Sequence, residues 1–294
     1  MVEGSKKFQI IANIIMVLLC AFCILPLWLL FSSSITSEKT LITEGYSFIA
    51  REIDFAAYKY ILIDSKQLLR GYGLSALVTI AGTLCNLTLT TLFAYPLTRK
   101  ELPGRKAISF FLFFTMLFNG GLVPSYIMWT QTFQIKNTIW ALIVPNLLMS
   151  AFNIIMMRTY LTTNVPEEIV DAAKIDGAGE FKILARIIMP MSKSILSTLA
   201  LLVGLGYWND WLNGLYYVNN DKLYTTQVLL NKMLLDTQFL MSSASHGMSI
   251  DTSKLPSTGI KMAIAVMGIL PVLIVYPFLQ KYLVKGITIG AVKG

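Results

Sequence analysis

Six long stretches of the chain carry almost no charge. Five contain no Asp, Glu, Lys or Arg between their ends, and the sixth contains Asp210 alone. They lie within residues 7–38, 70–99, 106–136, 136–158, 194–220 and 261–281. Each is long enough for the roughly 20 apolar residues that cross a bilayer, where a central charge costs about 2.5 kcal/mol or more. The apolar runs do not alternate, so they predict an all-α polytopic membrane protein with six transmembrane helices rather than a barrel.

Composition agrees with a membrane location. Hydrophobic residues make up 55% of the 294 residues, charged residues make up 14%, and the mean hydropathy is +0.64. The net charge of +8 would suggest nucleic acid in a soluble protein, but membrane proteins gather such an excess on cytoplasmic loops. We therefore expect no nucleic-acid partner. A single His and three Cys provide neither a usual zinc site nor a disulfide framework, so we also expect no metal.

The positive charges predict the orientation. Arg99, Lys100, Arg105 and Lys106 follow the second stretch, whereas the loop after the third holds only Lys136. The positive-inside rule places the first of these loops, and with it both termini, in the cytoplasm. This topology gives a cytoplasmic loop at residues 159–193 and an extracytoplasmic loop at residues 219–259, which contains His246. We expect His246 to be solvated, since it has no nearby His or Cys.

The cytoplasmic loop has the pattern of a helix, a turn and a second helix. Pro166 followed by Glu167 and Glu168 is typical of a helix start. Its apolar residues are expected to form a docking surface, and Asp171 is spaced to pair with Lys174. The apolar residues of this first helix are Ile169, Val170, Ala172 and Ala173. Glycines at positions 177 and 179 predict a sharp turn, after which helical spacing runs to Pro190 at the end of the loop.

The loop resembles the EAA signature of membrane subunits of ABC importers. The family pattern is Glu-Ala-Ala, three residues, Gly, nine residues, then Ile-x-Leu-Pro. Here Asp171-Ala172-Ala173 precedes Gly177 and then Ile187-Ile188-Met189-Pro190, with Asp replacing Glu and Met replacing Leu. The resemblance implies a coupling helix that docks on an ATPase subunit. The implied coupling residues are Glu167, Glu168, Asp171, Ala172, Ala173, Asp176, Gly177, Ile187 and Pro190. The alternative is an interfacial amphipathic helix without a partner.

Further segments resemble carbohydrate-uptake permeases related to the smaller maltose-transporter permease. They are residues 166–168, 175–178, 207–211 and 284–294, while residues 118–126 are similar to the branch for aldouronate and other complex oligosaccharides. The resemblance implies a single permease domain over residues 1–294 with a type I ABC importer permease fold. It also implies that the C-terminal tail reaches toward the ATPase, through Lys285, Gly286, Gly290 and Lys293. The alternative is a basic tail at the membrane surface.

Asp210 is the acid within a predicted span, and such residues usually face a cavity or a partner. Aromatic and amide side chains surround it and are suited to contact a sugar ring. The candidate pathway residues are Tyr207, Trp208, Asn209, Asp210, Trp211 and Asn213. The same residues also fit an interfacial aromatic belt, and that alternative stays open.

The chain lacks the phosphate-binding pattern G-x-x-x-x-G-K-[ST], so it is expected to bind no ATP and to be no enzyme. By resemblance, ATP and Mg are bound by a partner ABC ATPase dimer. The other implied partners are a homologous second permease, an extracytoplasmic sugar-binding protein or lipoprotein, and membrane lipid, all at the bacterial cell membrane. Import of a non-sugar solute is one alternative. An ion-driven transporter would need more intramembrane acids than Asp210, and an intramembrane protease would need a His within a span.

Overall fold

The structure is a computed structural model that describes residues 6–64, 66–245 and 258–291. The chain divides into two compact units, Met1–Leu69 with Leu229–Leu270 and Arg70–Val228 with Pro271–Gly294. Among the described residues there is no β-strand, only an isolated antiparallel bridge between Thr36 and Ile53. The molecule is therefore helical, as the apolar pattern predicts.

Fifteen α-helices are present in the described part of the chain. They are α1 (Lys6–Ser34), α2 (Glu38–Glu44), α3 (Ala56–Lys59), α4 (Lys66–Ala94), α5 (Arg105–Leu117), α6 (Leu122–Ile127), α7 (Trp140–Ile143), α8 (Ala151–Asn164), α9 (Glu167–Ile175), α10 (Glu180–Ile183), α11 (Met189–Met191), α12 (Lys193–Trp208), α13 (Leu212–Tyr217), α14 (Thr226–Ser245) and α15 (Thr258–Ala291). The described residues also form short π-helical segments at Tyr60–Asp64, Met128–Thr132 and Leu184–Ile188, and 3₁₀ turns at Pro96–Thr98 and Asp221–Leu223.

Three helical segments are long and apolar enough to cross a membrane. They are Phe8–Ser34, Lys66–Thr98 and Thr258–Phe278. Two bent pairs raise the number to five, namely Arg105–Leu117 with Leu122–Thr132, bent by 113°, and Glu180–Met191 with Lys193–Trp208, bent by 80°. The structure thus shows three to five candidate spans in its described residues, and the count of six stays a prediction.

The predicted helix within residues 136–158 is not continuous. Helix α7 ends at Ile143, residues 144–150 are not helical, and α8 begins at Ala151. Pro145 lacks the N–H that a continuing helix needs, and Asn146 has a φ of 61°, in the left-handed region. This stretch is therefore formed by two helices joined by an irregular segment, and a span made from it stays a prediction.

Side chains from other helices bind the carbonyls exposed by this break. The amide of Asn86 on α4 donates to the carbonyl of Leu147 at 2.7 Å. The Tyr207 hydroxyl donates to the carbonyl of Ile143 at 2.9 Å, and the Asn213 amide donates to that of Pro145 at 3.0 Å. Irregular backbone at membrane depth is tolerated where it is buried in protein, because other groups of the protein can then bind its free carbonyls.

The core of the second unit joins the candidate spans to the loop of residues 159–193. Its fully buried side chains come from the end of α4 and the 3₁₀ turn after it, from α8 and α9, from the helical segment after the loop's turn, and from α12. They include Ala94, Leu97, Ile154, Met157, Val170, Ile183, Ile188 and Leu199. The loop is therefore packed onto the helices and is not a free linker.

The first unit contains an ordered segment after α1. Ser37 caps α2 by accepting the N–H of Thr40 at 3.3 Å, and both hydroxyls donate to the Glu52 carboxylate at 2.8 Å. These donors lower the pKa of Glu52. The carboxylate of Glu38 accepts the N–H groups of Thr258 and Gly259 at 2.9 and 2.8 Å, where α15 begins. Carboxylates at a helix N-terminus satisfy its free donors.

Candidate functional site

The start of α9 is attached to the loop that follows α4. Pro166 precedes the helix, and Glu167 and Glu168 occupy its first turn, as predicted. The ammonium of Lys100 donates to the Glu167 carboxylate at 2.8 Å. This hydrogen bond and the attraction of the charges lower the pKa of Glu167 and raise that of Lys100. Both side chains are more than half exposed, so the pair orients the helix more than it stabilises the fold.

The end of α9 is set by Gly177. Its φ is +75°, a left-handed conformation that glycine adopts without cost. The N–H of Ala178 bonds the carbonyl of Ala173 at 2.9 Å, and the N–H of Gly177 bonds that of Lys174 at 3.0 Å. This is the hydrogen bonding by which a helix commonly ends at a left-handed residue. The sharp turn predicted from the glycine is thus present.

The second helix of the loop is fixed at its first residue. The Tyr95 hydroxyl, at the end of the second candidate span, donates to the Glu180 carboxylate, and Lys174 pairs with the same carboxylate at 3.2 Å. The expected pair between Asp171 and Lys174 is therefore wrong, because Glu180 lies across the turn and takes the ammonium. Sequence spacing within one helix could not reveal a partner beyond the turn.

Pro190 does not end the loop helix. The helical segment continues through the Leu184–Ile188 π turn and Met189–Met191, and the 80° bend follows at Ser192. The Ser192 hydroxyl donates to the carbonyl of Ile188 at 2.7 Å, and its backbone N–H also reaches that carbonyl, at 2.9 Å. The proline thus precedes the bend by two residues, and the expected boundary at Pro190 is corrected to Ser192.

Helix α9 has an inner and an outer apolar face. Val170 is fully buried and Ala173 half-buried against the core. Ile169, Ala172 and Ile175 recur at every third residue and are exposed, with 87% of Ile175 accessible. The single docking surface expected from Ile169, Val170, Ala172 and Ala173 is therefore divided between two faces. We call Ile169, Ala172 and Ile175 the outer face of α9.

The remaining predicted coupling residues lie around this face or behind it. Exposed side chains belong to Glu167, Glu168, Asp171, Asp176 and Pro190, and the backbone of Gly177 is exposed as well. Ile187 is half-buried against the core. Sequence reasoning missed Tyr95 and Lys100, which hold the two loop helices in place. The cluster of basic residues after α4 could have indicated that Lys100 pairs with an acid of the loop. Nothing in the sequence around Tyr95 indicates its contact with Glu180.

The candidate pathway residues separate into a buried and an exposed set. Tyr207, Trp208 and Asn213 are buried, and the Trp208 ring meets the Tyr72 ring edge-on at 5.5 Å. As described for the break, Tyr207 and Asn213 are engaged with backbone carbonyls. These contacts are the packing that a helical membrane protein needs at a broken segment.

Asp210 lies in the break between α12 and α13. Its carboxylate accepts the N–H of Asn213 at 3.3 Å, so it caps the start of α13. Asn209 is exposed and its side chain reaches Gln227 at 3.5 Å, while Trp211 is also exposed. Asn209 and Trp211 are thus accessible here, and a pathway role for the cluster stays a prediction.

The C-terminal candidates lie at the edge of the described structure. Lys285, Gly286 and Gly290 are within α15, whereas Lys293 and also His246 lie outside the described residues. The approach of this tail to an ATPase stays a prediction. No group of three or more His, Cys, Asp or Glu side chains that could hold a metal ion occurs in the described part of the chain.

A protein-family model described as "Binding-protein-dependent transport system inner membrane component" matches residues 87–289. The chain belongs to this family. The match covers the EAA-like loop and all segments from the second half of α4 to α15. The family suggested by the motif is thus confirmed, and the chain is a permease subunit of an ABC importer.

Individual relatives match nearly the whole chain. The Protein LplC of Bacillus subtilis (strain 168) is 34% identical over 93% of this chain and 90% of its own length. The polygalacturonan/rhamnogalacturonan transport system permease protein YtcP of the same organism is 31% identical over 99% of both chains. The fold is similar to a crystal structure of a bacterial ABC transporter involved in the import of the acidic polysaccharide alginate. That similarity has a TM-score of 0.80 at 28% identity and covers 95% of this chain and 98% of the other.

Proposed function

We propose that this permease couples to a partner ATPase through the outer face of α9 and imports acidic oligosaccharides. The observation that carries the proposal is the combination of a fixed helix and an exposed apolar face. Val170 anchors α9 in the core, Lys100 holds its first turn, and Gly177 ends it. Apolar residues exposed on a well-anchored helix are typical of a surface that binds another protein.

The acids around the outer face add specificity to this surface. Glu168, Asp171 and Asp176 are exposed and have no ion-pair partner among the described residues. A groove with an apolar floor and a basic rim would complement this arrangement. Charged rims mainly guide association, while the apolar centre supplies affinity.

The cargo is proposed from relatives and not from a binding pocket. YtcP is named for polygalacturonan and rhamnogalacturonan, and the structural neighbour is described as importing alginate. All three of these polysaccharides are acidic. We therefore propose negatively charged oligosaccharide fragments as the substrate class, delivered by an extracytoplasmic binding protein.

In the proposed assembly, this chain has six spans and cytoplasmic termini. Its partners are a second homologous permease and an ATPase dimer that binds ATP and Mg. ATP-driven closure of the dimer would move α9, and the core would pass this motion to the membrane helices. Alternating access follows if the ATP-bound dimer favours the outward-open arrangement.

The test is to purify the chain from its native membranes in mild detergent and to identify its partners by mass spectrometry. Ile175→Asp places a charge on the most exposed residue of the outer face, at the end of α9, and should abolish recovery of the ATPase. Ile49→Asp is a matched control, because Ile49 is similarly exposed at 78% but lies in the segment after α1. This control should leave the ATPase in the complex.

Uptake into proteoliposomes of the purified complex then tests the cargo. Labelled oligogalacturonides should be taken up with ATP in the lumen, and neutral maltodextrins should not. Uptake driven by an ion gradient without ATP would overturn the proposal, as would a preparation that contains no ATPase even after crosslinking.

A further inference from the structure

A cavity lies beside the loop of residues 159–193, at the beginning of α5. It has a volume of about 660 Å³ and is bounded by residues of the loop before α5, of its first turns and of α8. The charged side chains at its wall are Lys100, Arg105, Lys106 and Arg158, and no acidic residue lines it. Such a concentration of like charge repels itself unless an anion is present.

Three of these cations have no counter-ion in the part of the chain that the structure describes. Lys100 is paired with Glu167, but the side chains of Arg105, Lys106 and Arg158 have no ion pair or hydrogen bond within the described residues. The Ser109 hydroxyl also lines the cavity and is buried without a hydrogen-bond partner there. Two guanidinium groups, an ammonium and a hydroxyl are the donors that bind a phosphate group well.

The exposed side chains of α5 next to the cavity indicate which class of phosphate compound would bind there. Lys106 is followed on the same face of α5 by Phe110, Phe113 and Leu117, which are 67%, 52% and 65% exposed. From Lys106 to Leu117 the helix rises about 16 Å, close to half the roughly 30 Å hydrocarbon core. An apolar stripe of this length matches the acyl chains of one leaflet, with the cations at headgroup level.

We propose that this cavity binds the phosphate headgroup of an anionic phospholipid, whose acyl chains lie along the Phe110, Phe113 and Leu117 stripe of α5. Arg105, Lys106 and Arg158 bind the headgroup, and the Ser109 hydroxyl donates to it. Because Lys100 joins the cavity to α9 through Glu167, the lipid would lie next to the proposed coupling helix. Basic pockets between membrane helices at the cytoplasmic face are known to suit such headgroups.

The experiment is native mass spectrometry of the detergent-purified complex titrated with dioleoyl-phosphatidylglycerol, dioleoyl-phosphatidylcholine and inorganic phosphate. The triple variant Arg105→Gln/Lys106→Gln/Arg158→Gln removes three cations from the cavity. The matched control Lys39→Gln/Lys59→Gln/Lys222→Gln removes three exposed cations elsewhere. Each cation near an anionic surface gives roughly a fivefold gain in binding, so we expect about 100-fold weaker phosphatidylglycerol binding for the cavity variant only.

Each outcome decides the proposal. Preference for phosphatidylglycerol over phosphatidylcholine that is lost in the cavity variant supports it. Equal binding by both triple variants overturns it, and so does free phosphate that competes at equal concentration. Loss of the ATPase from the cavity variant with unchanged lipid binding would assign the cations to a protein partner. If the triple variant fails to assemble, the exposed single variant Lys106→Gln should still show a roughly fivefold loss.

Discussion

The left-handed conformation of Gly177 allows a direct test of whether the turn after α9 is needed for function. Its φ of +75° lies where a β-carbon strains the backbone, at a cost of about 1 to 2 kcal/mol for an L-residue. A β-carbon at this position would meet no atom of the described residues within 4 Å. The expected effect of Gly177→Ala is therefore conformational alone. The substitution should lower the ratio of loops with the observed turn at residue 177 to loops that have lost this turn by roughly 5- to 30-fold.

Two further variants separate the causes. Gly177→Asn should retain more of the function than Gly177→Ala, because asparagine tolerates the left-handed region better than alanine. Gly179→Ala should be close to neutral, since Gly179 has a φ of −70° and also has open space around a β-carbon. The assays are the amount of each variant in the membrane, the recovery of the ATPase and ATP-driven uptake. Equal defects in the Ala and Asn variants of Gly177, or none in either, would refute the reasoning.

Three further outcomes are expected. Gly82→Ala should lower the stability of the purified protein by about 1 to 3 kcal/mol through overpacking, because its β-carbon would lie 2.5 Å from the Tyr207 ring. Gly73→Ala lies in the same helix without such a neighbour and should leave the stability unchanged. Tyr207→Phe should cost about 1 kcal/mol in thermal unfolding, since a buried carbonyl loses its donor. The Lys100 ammonium lowers the pKa of Glu167 below 4.5, so the contribution of the pair is complete above that pH and is lost as the pH falls through the lowered value. Glu167→Gln should therefore change ATPase activity by the same small factor at every pH from 5 to 8, and a difference that grows over this range would contradict the assignment.

The sequence predicted the parts of the fold that depend on local composition. Helices α1, α4 and α15 follow from long apolar runs, and the two ends of α9 follow from Pro166 and Gly177. Residues within a few positions of one another determine these features, so they can be derived without a tertiary structure.

Features that depend on distant partners could not be predicted. The break after α7 is stabilised by donors 61 to 68 residues away in the chain, and the position of Glu180 depends on Tyr95, 85 residues before it. Asp210 is a predicted pathway acid because its charge lies in an apolar stretch, and that role stays a prediction. Its role as the cap of α13 became visible only with the backbone turn beneath it.

The three donors at the break also restrict how the permease can move. Separating Asn86, Tyr207 or Asn213 from its carbonyl would leave a buried acceptor unpaired, at about 1 to 3 kcal/mol each. Helix α4, the broken segment and α12–α13 should then travel as one rigid body, with hinges at residues 118–121 and at Ser192. Paired spin labels on α4 and α12 should keep their separation through the ATP cycle, while a pair across residues 118–121 should change its distance.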